Sequence, residues 1–368
     1  SNAITIAGPI SVHGGDITIG SGVNLTTTTA NNINLIASNG FTTAGTTRTT
    51  INSNGGNILI AADADANNSG ILDLDYLTLD AGSGNLTIEG ATMSWLTTAP
   101  STFPILKGTG ALTIQSNAAS FGQDVNLQWF ALEGVKSSFT FGKTSNVTAF
   151  TINACTSCAS TSDNFTGKTL TIAGLITVYG GDININENLN TTSGGTNGDI
   201  LLKGSGNITL AASKTLTTNN GDVIFWSDSD NNGSGDITLT DNIVINTANG
   251  STTSNLLGGG KIVMAGGADD GSNGGSIADG IPDGYAVSTS RFGLRLGTST
   301  ANYTQFYSGG GDVVIRGKST RSGASDLREM IGLFSWGRLL INSGTGTIRL
   351  EGQSNNYYGI NFAEPVSN

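Results

Sequence analysis

The chain has 368 residues and carries 54 glycines but only 5 prolines, so it lacks the proline content of collagen. Only 12% of residues are charged and the net charge is −11, which argues against a nucleic-acid partner because phosphate binding needs clustered Lys and Arg. No run of eighteen or more apolar residues occurs, so we expect no membrane insertion. The abundance of Thr, Asn, Ser and Gly is typical of a β-rich extracellular scaffold.

Residues 1–3, Ser-Asn-Ala, are typical of the scar left after cleavage of an expression tag, and we exclude them from the fold prediction. The rest is expected to be a segment of a longer protein. No signal peptide can be sought at such a start.

A short unit recurs along the chain: a glycine, usually a polar residue, then an apolar–polar–apolar triplet. It occurs as GDITI (15–19), GNILI (56–60), GNLTI (84–88), GALTI (110–114), GKTLTI (167–172), GDINI (181–185), GDILL (198–202), GNITL (206–210), GDVIF (221–225), GDITL (235–239), GKIVM (260–264), GDVVI (311–315) and GTIRL (346–350). Alternation with period two indicates a strand with one buried face, and the preceding Gly-Asp or Gly-Asn favours a turn. The sequence therefore predicts many short strands separated by tight turns.

The chain also contains a long internal duplication. Residues 5–19 and 171–185 are identical at eleven of fifteen positions, with an offset of 166, and 54–70 matches 219–235 with an offset of 165. We therefore predict a first block over 4–168 and a second block over 169–368, which includes C-terminal coils and is continuous with the first. A third GGD, at 310–312, is out of phase with this duplication.

Stacked coils of about twenty-odd residues, none able to bury its apolar face alone, account for this pattern. We predict an elongated all-β solenoid of roughly 60–80 Å, at about 4.8 Å per coil. Tandem antiparallel β-sandwiches are the alternative that the same strand pattern allows. The segment 324–334 has helical spacing of its apolar residues, but Gly332 favours a strand or loop there.

The GGDI-type strands, the Thr/Asn-rich turns and the imperfect block duplication resemble the repeat regions of large secreted bacterial surface proteins of the filamentous-haemagglutinin-like family. The resemblance extends over essentially the whole chain. It implies a right-handed parallel β-helix, a secreted or cell-surface location, and service as an adhesive or spacer rod. The partners it implies are glycans or proteins on host or neighbouring cells, with the fragment itself monomeric.

Few side chains suit catalysis. His13 is the only histidine, and Tyr179 occupies the equivalent position in the second copy. A position that tolerates tyrosine within the same chain is a poor candidate for a general base, so His13 is a poor candidate. We therefore assign no catalytic residue and no cofactor, and predict that the chain is not an enzyme. The main alternative is a polysaccharide-acting β-helix enzyme, a lyase or hydrolase, which would need carboxylates or a basic residue converging on a groove. Ice binding is disfavoured because regular Thr-x-Thr ladders are absent.

Two acidic stretches, at 63–75 and 228–236, contain the pattern D-x-D-x-N, in which several oxygen ligands could converge on one calcium ion. The candidate ligands are Asp63, Asp65, Asn67, Asp228, Asp230 and Asn232. The match to a calcium-binding loop is partial, and Asp, Asn and Gly are also ordinary turn residues. A calcium-stabilised carbohydrate-binding scaffold is therefore the lesser alternative for the function.

Cys155 and Cys158 are the two cysteines, spaced as CxxC. The chain lacks the further ligands that a structural zinc site needs, and no βαβ pattern suggests a redox motif. We predict a disulfide between them. On an extended strand their Cα atoms would lie about 10 Å apart, so the bridge requires a turn at 156–157. Titration of two free thiols in denatured, unreduced protein would contradict it.

Overall fold

The computed structural model describes residues 3–94, 100–154, 169–248, 258–322 and 330–363. The chain divides into two compact units, unit 1 (Ser1–Ala173) and unit 2 (Gly174–Asn368). The block limits 4–168 and 169–368 that the sequence suggests stay a prediction. Among the described residues, no helix is long and apolar enough to cross a membrane.

Unit 1 consists of short strands with 3-10 helices at Pro100–Thr102 and Leu127–Trp129. The strands are β1 (Ala3–Ile6), β2 (Ile10–Gly14), β3 (Ile17–Ile19), β4 (Asn24–Thr27), β5 (Ile33–Ala37), β6 (Phe41–Thr43), β7 (Thr49–Asn52), β8 (Ile58–Ala61), β9 (Ile71–Leu72), β10 (Leu77–Asp80), β11 (Leu86–Glu89), β12 (Thr92–Met93), β13 (Ile105–Lys107), β14 (Leu112–Gln115), β15 (Val125–Asn126), β16 (Ala131–Leu132), β17 (Phe139–Phe141), β18 (Phe150–Ile152) and β19 (Thr169–Ile172). Neighbours in its sheets are three strands apart in the chain, as in β1-β4-β7-β10-β13-β16, β2-β5-β8-β11-β14-β17 and β3-β6-β9-β12.

Unit 2 is built in the same way, with 3-10 helices at Gly195–Gly198 and Ser272–Gly274. Its strands are β20 (Ile176–Gly180), β21 (Ile183–Ile185), β22 (Asn188–Gly194), β23 (Ile200–Gly204), β24 (Ile208–Leu210), β25 (Thr215–Asn219), β26 (Val223–Ser227), β27 (Ile237–Leu239), β28 (Val244–Asn246), β29 (Ile262–Gly266), β30 (Ala286–Ser288), β31 (Phe292–Leu296), β32 (Tyr303–Tyr307), β33 (Val313–Ser319), β34 (Ile331–Trp336), β35 (Arg338–Asn342), β36 (Ile348–Ser354) and β37 (Ile360–Ala363). The sheets run β20-β23-β26-β29-β33, with β30 and β36 also on β33, then β21-β24-β27-β31-β34-β37 and β22-β25-β28-β32-β35.

Each coil therefore contributes one strand to each of three sheets, and successive coils pair in parallel. In unit 1, for example, β5 pairs β8 with Ile33 opposite Ile58. In unit 2, β23 pairs β26 with Ile200 opposite Val223. This arrangement is a parallel β-helix, which confirms the predicted fold class. The alternative of antiparallel sandwiches is wrong, because those would require antiparallel pairing of neighbouring strands.

The core of each unit is a set of aliphatic columns that run from coil to coil. In β8, Ile58 and Ile60 are 1% and 0% exposed, whereas Leu59 between them faces outward. The period-two alternation of the sequence thus places every second side chain inside the coil. Burying one such side chain contributes about 1.5–3 kcal/mol. The motif that recurs along the chain is therefore one rung of these columns.

The duplication is visible strand by strand. Strands β1, β2 and β3 of unit 1 correspond to β19, β20 and β21, at the offset of 166 found in the sequence. Within the segment 324–334, residues 324–329 lie outside the described part of the chain. Ile331–Phe334 belong to strand β34, so the strand-or-loop interpretation is confirmed there.

Candidate functional site

The polar residue of the Gly-Asp and Gly-Asn units joins one coil to the next. In unit 2, Asp199 precedes β23 and its Oδ1 accepts a hydrogen bond from the backbone N–H of Asp222, at 2.7 Å. Asp222 in turn accepts from the N–H of Lys261 at 2.6 Å, and Asp312 from the N–H of Thr347 at 2.7 Å. We call these five residues, one before each of five stacked strands, the corner column.

Asparagines occupy the corresponding positions in unit 1. The Oδ1 atoms of Asn32, Asn57 and Asn85 accept hydrogen bonds from the backbone of the next coil at 3.0, 2.8 and 3.0 Å. A neutral amide therefore performs the same stacking function as the carboxylates of unit 2. Sequence reasoning interpreted this residue as a turn former and missed its contact with the next coil, because the partner lies some 25 residues away.

The glycine before this residue is explained by close approach of the coils. A Cβ atom on Gly260 would lie 2.1 Å from the carbonyl oxygen of Gly221, and one on Gly84 would lie 2.1 Å from that of Gly56. A side chain is therefore excluded at the glycine position of the repeat unit. A hydroxyl at the preceding turn adds a bond: Thr247 Oγ1 donates to the carbonyl oxygen of Gly260 at 2.6 Å.

The corner column of unit 2 is electrostatically unlike that of unit 1. Burial raises the pKa of Asp199 to about 6; the hydrogen bond from Asp222 opposes this rise and the Asp222 charge adds to it. Burial also raises the pKa of Asp222, against the effect of the Lys261 backbone and charge. These carboxylates are therefore poorly solvated, and a ligand that donates hydrogen bonds to them would relieve part of that cost.

The connection that follows β29 in unit 2 is longer than the repeat requires. Strand β29 ends at Gly266 and β30 begins at Ala286, so residues 267–285 form an insertion, whereas β26 of the preceding coil is separated from the next strand, β27, by nine residues. In a repetitive fold, a long insertion in a coil is where binding residues are expected. We call residues 267–285 the insertion loop.

Arg316 holds the insertion loop against the sheet. Its guanidinium donates to the carbonyl oxygens of Pro282 (3.3 Å), Asp283 (3.0 Å) and Asn273 (3.3 Å). It also pairs with Glu351 at 2.9 Å, and Glu351 contacts Arg349 as well. Arg316 is buried and fully used, so its role is to fix the loop rather than to meet a ligand.

Two cavities adjoin at this place and share Lys261 and Asp312. One, of about 310 Å³, is lined by Gly195, Thr196, Asp199, Asn220, Asp222, Gly259, Gly260, Lys261, Gly310, Gly311 and Asp312. The other, of about 350 Å³, is lined by Lys261, Val263, Gly274, Gly275, Ser276, Asp279, Ile281, Asp283, Asp312, Val314, Arg316, Thr347 and Arg349. We call the two together the corner groove.

The corner groove combines hydrogen-bonding groups with a small apolar surface. Carboxylates accept strong hydrogen bonds from hydroxyl groups, and the Lys261 ammonium can donate. Val263 and Val314 supply an aliphatic patch beneath Ile281 of the insertion loop. Among the described residues, no three His, Cys, Asp or Glu side chains are arranged to hold a metal ion. The groove therefore suits a polyhydroxylated ligand.

The predicted site residues lie outside this groove. His13 is exposed on β2, where its Nε2 lies 3.2 Å from the Ser11 hydroxyl, and Tyr179 lies on β20. Cys155 and Cys158 fall in 155–168, outside the described residues, so their disulfide stays a prediction.

The calcium candidates occupy two loops of the same conformation, one in each unit. Asp63 accepts hydrogen bonds from the backbone of Asn67 and Asn68, both at 3.1 Å. The amide of Asn67 donates to Asp65 at 2.8 Å. Left-handed backbone occurs at residues 63, 66 and 68. Asp63, Asp65 and Asn67 therefore have a structural role, because their hydrogen bonds hold the backbone of the loop in this conformation.

The second loop repeats these contacts. Asp228 accepts from the backbone of Gly233 at 3.0 Å, the amide of Asn232 donates to Asp230 at 2.7 Å, and left-handed backbone occurs at 228, 231 and 233. The structure brings each set of three residues together within its own loop. Whether a calcium ion joins them stays a prediction.

No protein-family model, curated protein or solved structure matches this chain. The resemblance to filamentous-haemagglutinin-like repeats therefore stays a hypothesis.

Proposed function

We propose that this chain is a non-catalytic segment of an exported bacterial surface protein and serves as an adhesive or spacer element. The observation that carries the proposal is the corner column. Asp199, Asp222 and Asp312 each use one carboxylate oxygen to bind the backbone of the next coil. The acidic residues that recur with the repeat thus have a structural role in stacking the coils.

The outward side chains of the repeat support a role in display. In strands such as β24 and β27, the residue between the two buried ones is a threonine, Thr209 or Thr238. Outward positions of this kind contribute little to the core and can vary without loss of the fold. Glycans or proteins of other cells are the partners that fit an exported surface of this composition.

A second candidate function, polysaccharide hydrolysis, is favoured by one observation. The raised pKa of Asp199, about 6, next to Asp222 on the neighbouring coil, resembles the acid and base pair of a glycosidase. The comparison with unit 1 argues against it, because Asn32 and Asn57 occupy the same stacking positions without a titrating group. Stacking is the simpler explanation for this pair.

Incubation with pectin, alginate and host-type glycans separates these functions. We expect no new reducing ends or unsaturated products from any polymer, and saturable binding of at least one would favour adhesion over a pure spacer. Asp199→Asn is the matched control, since its Oδ1 can still accept the hydrogen bond from Asp222. Turnover by the wild-type chain that this variant abolishes would overturn the proposal and establish the hydrolase.

A further inference from the structure

We propose that the corner groove of unit 2 binds a neutral, linear oligosaccharide lying across several coils. The inference rests on the proposed adhesive function and assigns it a site and a ligand class. The groove is the place where the insertion loop meets the corner column, and its two cavities share Lys261 and Asp312.

The direction of the ligand follows from the corner column. Its residues recur once per coil, at the 4.7–4.9 Å spacing of neighbouring strands. The rise of one unit in an extended pyranose chain is close to this spacing, so successive sugars can meet successive coils. Asp199, Asp222 and Asp312 each have one carboxylate oxygen that the stacking hydrogen bond leaves available.

The charge of the groove selects against acidic sugars. Three carboxylates of the corner column face one ammonium group, that of Lys261. The second cavity adds Arg316 and Arg349, but Asp279, Asp283 and the Glu351 carboxylate that pairs with both arginines outnumber them, so the groove as a whole stays acidic. A uronic acid chain would place its own carboxylates beside Asp199 and Asp222, where like charges repel.

Two further features favour a sugar over an extended peptide. The backbone N–H groups of Asp222, Lys261 and Thr347 are engaged by the preceding coil, so the groove offers no free strand edge for a peptide to pair with. Asn220 Oδ1 is buried in the first cavity and accepts no hydrogen bond from the described part of the chain. A ligand hydroxyl can satisfy it, while the partly buried Val314 meets the apolar face of a ring.

Titration calorimetry with tetrasaccharides of equal length tests this inference. The probes are cellotetraose, mannotetraose, N-acetylated chitotetraose and, as the acidic counterpart, tetragalacturonate. We expect saturable binding of at least one neutral probe and at least tenfold weaker binding of the acidic one. Absence of binding by every neutral probe, or equal binding of the acidic probe, would overturn the inference.

Two substitutions locate the ligand. Thr347→Trp introduces a large side chain at an exposed position in the second cavity, and we expect at least tenfold weaker binding. Thr209→Trp, on the outward side of β24 and outside both cavities, is the control and should bind as the wild type does. Equal affinity of Thr347→Trp and the wild type would place the sugar elsewhere and overturn the inference.

The role of the charges is tested by a chain that carries both Asp199→Asn and Asp222→Asn. Each asparagine keeps the Oδ1 atom that accepts the hydrogen bond from the next coil. Charged acceptors form stronger hydrogen bonds than neutral ones, so we expect about tenfold weaker binding of the neutral sugar. An unchanged affinity would contradict the role of the carboxylates.

Chromatography of the bound tetrasaccharide separates this inference from the proposed function. Cleavage of the sugar would defeat the non-catalytic function while leaving the groove as the sugar-binding site, whereas lack of binding would defeat only the assignment of the groove.

Discussion

Asp236, which precedes β27, is a carboxyl group that the fold disfavours in its charged form. Burial raises its pKa to about 6, the Asp182 charge adds to the rise, and the Ser288 hydroxyl opposes it. The folded state therefore binds more protons than the unfolded state between about pH 4 and 6, and stability falls as the pH rises through that range.

We predict that Asp236→Asn raises the free energy of unfolding at pH 7.5 by about 2 kcal/mol and leaves it unchanged near pH 4. Urea unfolding at the two pH values measures this. Asp241→Asn is the control, and we expect it to lower the free energy of unfolding at pH 7.5. Desolvation would raise the pKa of Asp241, but hydrogen bonds from Thr298 and Ser299 outweigh it and lower the pKa, so the fold favours the charged form. Stabilisation of Asp236→Asn at both pH values would contradict the electrostatic explanation.

The D-x-D-x-N loops make a second prediction at the scale of residues. If Asp65 and Asp230 help to hold calcium, adding the ion produces saturable heat in calorimetry and raises the melting temperature. Replacing both by Asn should then weaken binding at least tenfold. No heat and an unchanged melting temperature in the wild type would leave the loops with backbone capping alone, through Asp63 and Asp228.

At the scale of elements, the repeat unit consists of a strand and the corner that precedes it. The unit GNILI at 56–60 predicts a strand, and β8 covers Ile58–Ala61. The position of the glycine was predictable as a turn, but its absolute need for a small side chain was not. That need arises because Gly84 lies against Gly56 of the coil before it, a contact between residues distant in sequence.

We predict that Gly84→Ala destabilises unit 1 by about 3 kcal/mol, since overpacking a closely packed contact typically costs 1–3 kcal/mol and the obstacle here is rigid backbone. Its Cβ atom would lie 2.1 Å from the Gly56 carbonyl oxygen. Gly8→Ala is the matched control in the same unit, because nothing lies within 4 Å of the added atom. Equal urea midpoints for the two variants would refute the close-approach explanation.

At the scale of the whole molecule, we expect the two units to differ in how their stability responds to pH. Carboxyl groups of unit 2 whose pKa is raised by burial include Asp199, Asp222, Asp228 and Asp236. The corner positions of unit 1 are occupied instead by amides that do not titrate, at Asn32, Asn57 and Asn85. Raised carboxyl pKa values make the folded state more stable at lower pH.

Hydrogen exchange read by mass spectrometry should therefore show slower opening of unit 2 at pH 5 than at pH 7.5, after correction for the chemical exchange rate. Unit 1 should change less. The doubly substituted Asp199→Asn, Asp222→Asn chain is expected to lose part of the difference. Equal responses of the two units would show that the corner column does not govern their stability.

The sequence by itself determined an all-β fold of many short strands, because period-two alternation and a repeated Gly-polar unit are local properties; the long duplication favoured a solenoid, but the strand pattern also allowed antiparallel sandwiches. It also located the duplication and the loops of Asp63 and Asp228. Tertiary structure alone decided that strands three apart pair in parallel and that Asp199 bonds to Asp222. It alone placed the insertion loop beside Lys261 and Asp312. Those contacts join residues tens of positions apart, and their geometry depends on how the coils stack rather than on any local pattern.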